Sequence, residues 1–164
     1  MAGGRSITIK ARRQKLRTDD TAQFDFYVAA CLLFDKNGKL LIYLRDNKPD
    51  ISFPNTWDLF GGIMEAGETP EQALIRELKE EIGIELKNFT FFKTYDCIVG
   101  DIKPNRKYIY YAQIDFLPEQ LTLLDVGQKI ISIDLCEREN YTWANILFTV
   151  VDDFANEKTK KAFD

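Results

Sequence analysis

The stretch GGIMEAGETPEQALIRELKEEIGI, residues 61–84, decides how the rest of the chain is read. Its second half has the marks of a helix. Thr69 is a fitting N-cap, and Pro70 follows at the first helical position, where a missing N–H loses no partner. Glu71 lies in the first turn, where negative charge suits the helix dipole. Gly83 suits a left-handed C-cap. At about 100° per residue, Leu74, Ile75, Leu78 and Ile82 gather on one arc. Glu77, Glu80 and Glu81 gather on the neighbouring arc.

Such a helix anchors its apolar stripe to a core while its carboxylates project together. Like charges at this spacing repel one another and weaken an isolated helix. A divalent cation is the natural offset. All-oxygen ligation favours a hard ion, Mg²⁺ with Mn²⁺ as a substitute, over Zn²⁺. The competing reading is a solvated helix face, since glutamate is a good helix former and common on surfaces.

The full spacing weighs against that competitor. Gly62, five residues, Glu68, seven residues, then Arg76-Glu77-Leu78-Lys79-Glu80-Glu81-Ile82-Gly83-Ile84 resembles the box of the Nudix (MutT-like) hydrolases, G-x5-E-x7-R-E-U-x-E-E-x-G-U with U apolar, and every fixed position matches. The resemblance implies hydrolysis of a nucleoside diphosphate linked to another moiety: water attacks a phosphorus and the pyrophosphate bond breaks. Divalent cations neutralise the phosphate oxygens and acidify a bound water. The remaining catalysis is positioning and charge stabilisation.

Residue by residue, the resemblance makes Glu80 and Glu81 metal ligands and Glu77 a ligand or the group that orients water. An ordinary carboxylate, with a pKa of about 4, is a weak base. A base role therefore needs neighbours that raise it. Glu68 is a further catalytic candidate, Arg76 orients the carboxylates through a bidentate contact, and the Gly61 carbonyl is a further ligand. Many members recruit one more acid or amide from outside the box; Asp125, Gln128 and Glu119 are candidates, with an ordinary turn residue as the competing reading for Asp125. Arg45 is a candidate for holding phosphate. Trp57, Phe53, Phe92, Tyr95 and Tyr110 are candidates for stacking a base, against the competing reading that aromatics fill cores.

Residues 45–62, RDNKPDISFPNTWDLFGG, resemble a subgroup of bacterial Nudix hydrolases acting on nucleotide sugars and nucleoside triphosphates. The alternative function is a catalytically silent Nudix-like module that senses or binds a nucleotide. Loss of box glutamates would mark that alternative, and none is lost. A P-loop phosphotransferase is excluded, because no G-x-x-x-x-G-K-[ST] is present.

Composition narrows the rest. A chain of 164 residues is one domain by size, here spanning 1–164. Its net charge of −4 favours neither a nucleic-acid polymer nor a membrane surface as partner; the Nudix resemblance implies a small-molecule nucleotide. With no histidine, every His triad and His metal site is excluded. The three cysteines are widely spaced and suggest neither a zinc knot nor a disulfide framework. No apolar run reaches membrane-spanning length and no signal-peptide pattern opens the chain, so a cytoplasmic location is expected.

In chain order, residues 1–20 read as a basic arm or edge strand, which leaves a homodimer open. Strands are expected at 24–35, 40–44, 57–60, 84–98, 108–116 and 129–133. Residues 36–39 carry a hairpin signal, and 45–56, 100–106 and 117–127 read as connections. A second helix is expected over 143–156, then a frayed tail at 157–164. Strands alternating with helices in this order predict an α+β fold, an α/β/α sandwich with a mixed β-sheet flanked by helices. The Nudix resemblance implies the same, with the box as a loop–helix–loop at one end of the sheet.

Overall fold

In the computed structural model, which describes residues 24–162, the sheet is built outward from β1 (Phe26–Phe34). This near-continuous apolar run suits a strand covered on both faces. Ala29, Cys31 and Leu33 point into one core, and Ala30 and Leu32 into the other. β1 pairs antiparallel with β2 (Leu40–Leu44) and β4 (Phe60–Ile63), and parallel with β6 (Asn105–Gln113). β5 (Thr90–Cys97) pairs antiparallel with β6, while β3 (Trp57–Asp58) and β7 (Lys129–Ile133) pair antiparallel with β2. The sheet is therefore mixed, as expected. The basic arm at 1–20 lies outside the described residues.

Two helices cover the faces. α1 (Pro70–Ile82) seals one core with Ala73, Leu74, Leu78 and Ile82. α2 (Leu147–Ala162) seals the other with Leu147, Val150, Val151 and Phe154. This is the α+β arrangement read from the sequence.

Five boundaries differ from the sequence reading, three of them through a long-range contact. The expected strand at 57–60 divides at Leu59, because the chain there passes from pairing with β2 to pairing with β1. β6 begins at Asn105, inside the expected loop, because parallel pairing with Phe26 recruits it. Residues 84–89 stay outside β5, which starts at Thr90. The second helix starts at Leu147 rather than residue 143. Trp57 donates to Thr142 O at 2.9 Å and Ala144 donates to Trp57 O at 2.9 Å, tying this segment to the sheet. Asn145 then takes a left-handed φ of 37°. The helix continues through Ala162, past residue 157 where fraying was expected.

Candidate active site

The ends of α1 are built as its sequence dictates. Thr69 Oγ1 accepts the Gln72 N–H at 3.2 Å, and Gln72 Oε1 accepts the Thr69 N–H at 2.9 Å, a reciprocal capping box. Gly83, at φ 71°, donates its N–H to Lys79 O at 3.0 Å. Leu74 and Leu78 are fully buried and fix the rotation of the helix, so the glutamate arc faces the glycine pair of β4.

The two glycines serve different contacts. Gly61 has φ 140°, and a Cβ there would lie 2.2 Å from the Ala29 carbonyl oxygen on β1. A Cβ on Gly62 would lie 2.5 Å from the Glu77 carboxyl carbon. The first glycine lets β4 lie against β1; the second lets the Glu77 carboxylate approach bare backbone.

Arg76 organises the outer carboxylates. Its Nε donates to Glu68 Oε1 at 2.7 Å and its Nη2 to Glu68 Oε2 at 3.0 Å, the bidentate fork expected of it. Its Nη1 donates to Glu77 Oε1 at 2.8 Å and to Glu80 Oε2 at 3.2 Å. The Arg76 hydrogen bond pulls the Glu68 pKa down to about 2. Glu77 moves the other way. Burial raises its pKa more than Arg76 lowers it.

Glu81 lies on the inner side, 7% exposed. Its Oε2 accepts the Gly61 N–H at 3.3 Å, and among the described residues no cationic side chain pairs with it. Burial first, then the Glu77 charge, push its pKa up to about 9; Asp58 and Glu80 add to the rise, and the Gly61 amide opposes it.

Asp58, absent from the sequence-based candidates, joins this inner group. Its Oδ2 accepts Arg45 Nη1 at 2.7 Å and the Tyr43 hydroxyl at 3.4 Å, and its Oδ1 accepts the Leu59 N–H at 2.8 Å. Burial raises its pKa despite the Arg45 charge. The signal available in the sequence was an acid inside an otherwise apolar run, TWDLFGG.

These donors fit a hard divalent cation. They are carboxylate oxygens, one of them buried among like charges that a proton or a cation must offset. Among the described residues no three acids close on one point, because Arg76 draws Glu77 and Glu80 to itself. The residues that would hold the ion are Glu81, Glu77 and Glu80.

Of the remaining candidates, Arg45 and Gln128 meet beside Asp58, and the others are dispersed. The Arg45 guanidinium is turned inward onto Ser52 O and Asp58. Gln128 Nε2 donates to Arg45 O at 2.7 Å and Asn55 Oδ1 at 3.1 Å. Asp125 is exposed on the connection whose Leu124 N–H donates to Glu81 O at 2.9 Å. Glu119 is exposed on a 3-10 turn, Pro118–Gln120, after β6. Trp57 is half-buried, edge-on to Tyr141 at 5.5 Å, with the Lys129 ammonium 5.7 Å from its ring.

Four of the aromatics weighed as base-stackers pack within the fold, as the competing core reading has it. Tyr110 is 2% exposed, with its hydroxyl donating to Glu71 Oε1 at 2.7 Å. Phe92 packs edge-on to Phe154 of α2. The Tyr95 hydroxyl donates to Asp153 of α2 at 2.7 Å. Phe53 also packs against the α2-side core. Strand alternation placed these rings toward core or helix, which composition alone does not reveal.

Residues 26–146 match the family model described as NUDIX domain. The chain is 41% identical over 68 residues to the 8-oxo-dGTP diphosphatase of Proteus vulgaris, covering 42% of this chain and 59% of that protein. It is 29% identical over 113 residues to the dihydroneopterin triphosphate diphosphatase of Haemophilus influenzae, covering 68% of this chain and 67% of that protein. The chain thus spans about half to two-thirds of the length of these curated relatives. In structure it resembles a MutT protein from Methanosarcina mazei Go1, with a TM-score of 0.70 at 16% identity over 81% of this chain and 94% of that one. With the box intact, the glutamate helix packed against its glycine pair and the family model matched across the sheet, the chain belongs to the Nudix family.

Proposed function

We propose that this protein is a Mg²⁺-dependent pyrophosphohydrolase of nucleoside diphosphate derivatives, with nucleoside triphosphates and nucleotide sugars as its substrate classes. The observation that carries the reading is Glu81: a buried carboxyl, crowded by Glu77, Asp58 and Glu80, with no cationic side chain paired to it among the described residues. A buried carboxyl with a raised pKa beside other acids is the mark of a functional site. The diphosphatase names of the sequence relatives support the triphosphate class.

In this reading Glu80 and Glu81 ligate the metal with the Gly61 carbonyl, and Glu77 ligates or orients the attacking water. Glu68 and Arg76 hold the outer carboxylates in place. The metal, when bound, neutralises phosphate oxygens and acidifies water. Water oxygen bonds to a phosphorus and gives up a proton to solvent, the anhydride P–O bond breaks, and the leaving phosphate group takes the electron pair. Arg76 could release Glu77 and Glu80 to the ion, because Glu68 retains its own fork on the guanidinium.

The test is incubation with Mg²⁺ and a panel of triphosphates, oxidised triphosphates, nucleotide sugars and dinucleoside polyphosphates, with products separated by chromatography. The expected result is turnover of one class, abolished by chelator. Metal binding without turnover of any member would favour the silent sensing module.

A further inference from the structure

The loop before β3 holds one bulky residue, Phe53, in a backbone conformation that it does not favour. Phe53 has φ 52° and Asn55 has φ 57°. The left-handed region is disfavoured for a residue with a Cβ, asparagine less than most, and a bulky side chain such as Phe53 there is uncommon. Something outside the loop must hold it so.

Arg45, at the end of β2, does this. Its Nε and Nη2 donate to the Ser52 carbonyl at 3.1 and 2.7 Å, and its Nη1 donates to Asp58 Oδ2 at 2.7 Å. The Arg45 N–H donates to Thr56 O at 2.9 Å, and Thr56 Oγ1 donates to Phe53 O at 2.7 Å. From the other side, Gln128 bonds both Arg45 O and Asn55. The connection that carries Gln128 is tied at Leu124 to the Glu81 carbonyl.

The clamp therefore joins two loops, 46–56 and 121–128, to the inner end of the carboxylate group. Asp58 makes the arrangement unusual. A half-buried acid that raises the Glu81 pKa is unfavourable by itself, since like charges raise each other, and Arg45 is the chief group that offsets it. Burial would lower the Arg45 pKa, but Asp58 more than restores it.

We infer that Arg45 and Asp58 are positioning residues. They hold residues 46–56 as a preformed wall beside the carboxylates, against which the moiety linked to the diphosphate docks. The inference rests on the hydrolase reading and refines it. A wall of this kind acts on capture of substrate through preorganisation, not on the breaking bond. Arg45 does not contact phosphate in this account.

Two variants and two readouts test it. Arg45→Lys keeps a charge beside Asp58 but loses the fork on Ser52. Gln128→Ala cuts the link from the opposite loop and leaves the Arg45–Asp58 pair alone. Amide hydrogen exchange over residues 46–56 and steady-state hydrolysis of the best nucleotide in the panel are measured for each. For Arg45→Lys, exchange in 46–56 should accelerate and KM should rise about tenfold with kcat within about twofold. Gln128→Ala should move both readouts the same way by a smaller amount. Faster exchange with unchanged KM would make the clamp merely structural and overturn the inference. So would a fall in kcat at constant KM, or exchange that does not change. If the wild type hydrolyses nothing in the panel, the hydrolase reading has failed first, and the docking role falls with it.

Discussion

Glu68, in the loop before α1, and Glu81, near its end, are the same residue type, yet they sit in opposite electrostatic states. Glu68, Glu77 and Glu80 share the Arg76 guanidinium, and Glu68 is held down at about 2. Glu81 faces the Gly61 amide from a buried position, and is pushed up to about 9. Local spacing cannot produce such a difference; position relative to the sheet does. The outer group is supplied with positive charge by the chain itself. Glu81 is left short of it, and that shortage is what a divalent cation would relieve.

The largest effect should come from removing the inner charge. Glu81→Gln is expected to lower turnover by about a thousandfold, roughly 4 kcal/mol of transition-state stabilisation. Its circular dichroism spectrum should be unchanged, because the amide fits the same space and can still accept from Gly61. Activity near the wild-type level would remove Glu81 from the site. Gly62→Ala attacks the junction between the two groups. The added Cβ would fall 2.5 Å from the Glu77 carboxyl carbon, and a shift of about 1 Å in that group should cost about a hundredfold. A kinetic assay showing full activity would mean that the Glu77 approach to Gly62 has no catalytic use.

Arg76→Lys perturbs only the outer group. A lysine cannot fork onto Glu68 while bridging Glu77 and Glu80, so about a tenfold loss in metal affinity or activity is expected, the lower end for residues that orient ligands. Titration calorimetry with Mn²⁺ would detect it. Unchanged affinity would show that the outer carboxylates need no alignment.

The smallest effect is on stability. The Glu81 pKa lies above its ordinary value, so the folded protein keeps a proton that the unfolded chain releases in the ordinary carboxylate range. The stabilising contribution of this group is complete below that range and declines as pH rises toward about 9. Glu81→Gln removes the decline. Without added metal, the melting temperature of the variant relative to wild type should therefore increase between about pH 5 and pH 9. Parallel curves would mean that Glu81 is ionised in the folded state throughout.

Much of this site was legible in the sequence because it is local. The Thr69 cap, the Gly83 cap, the glutamate arc and the bidentate partner of Arg76 all lie within one helix and the loop before it. β7 was legible for the same reason. What was not legible depends on pairing between distant segments. Asp58 gains its place because β3 lies beside Tyr43 on β2. Arg45 reads as a surface cation ending a strand until the loop folds back and presents Ser52 O. Tyr110, Phe92 and Tyr95 could have stacked a base by composition, but strand alternation turned them to core or helix. The start of α2 was masked by the bridge between Trp143 and Trp57.

The contrast between inner and outer carboxylates can be measured directly by carbon-detected NMR of the glutamate side chains, titrated with and without Mg²⁺. Without the ion, Glu81 should remain protonated through neutral pH and ionise near 9, while Glu68 stays ionised down to about 2. Adding Mg²⁺ should drive the Glu81 proton off at neutral pH and leave Glu68 unchanged. If both groups titrate together in the ordinary carboxylate range, or if Mg²⁺ leaves Glu81 protonated, the account of the inner carboxylate as the metal-seeking half of the site is wrong.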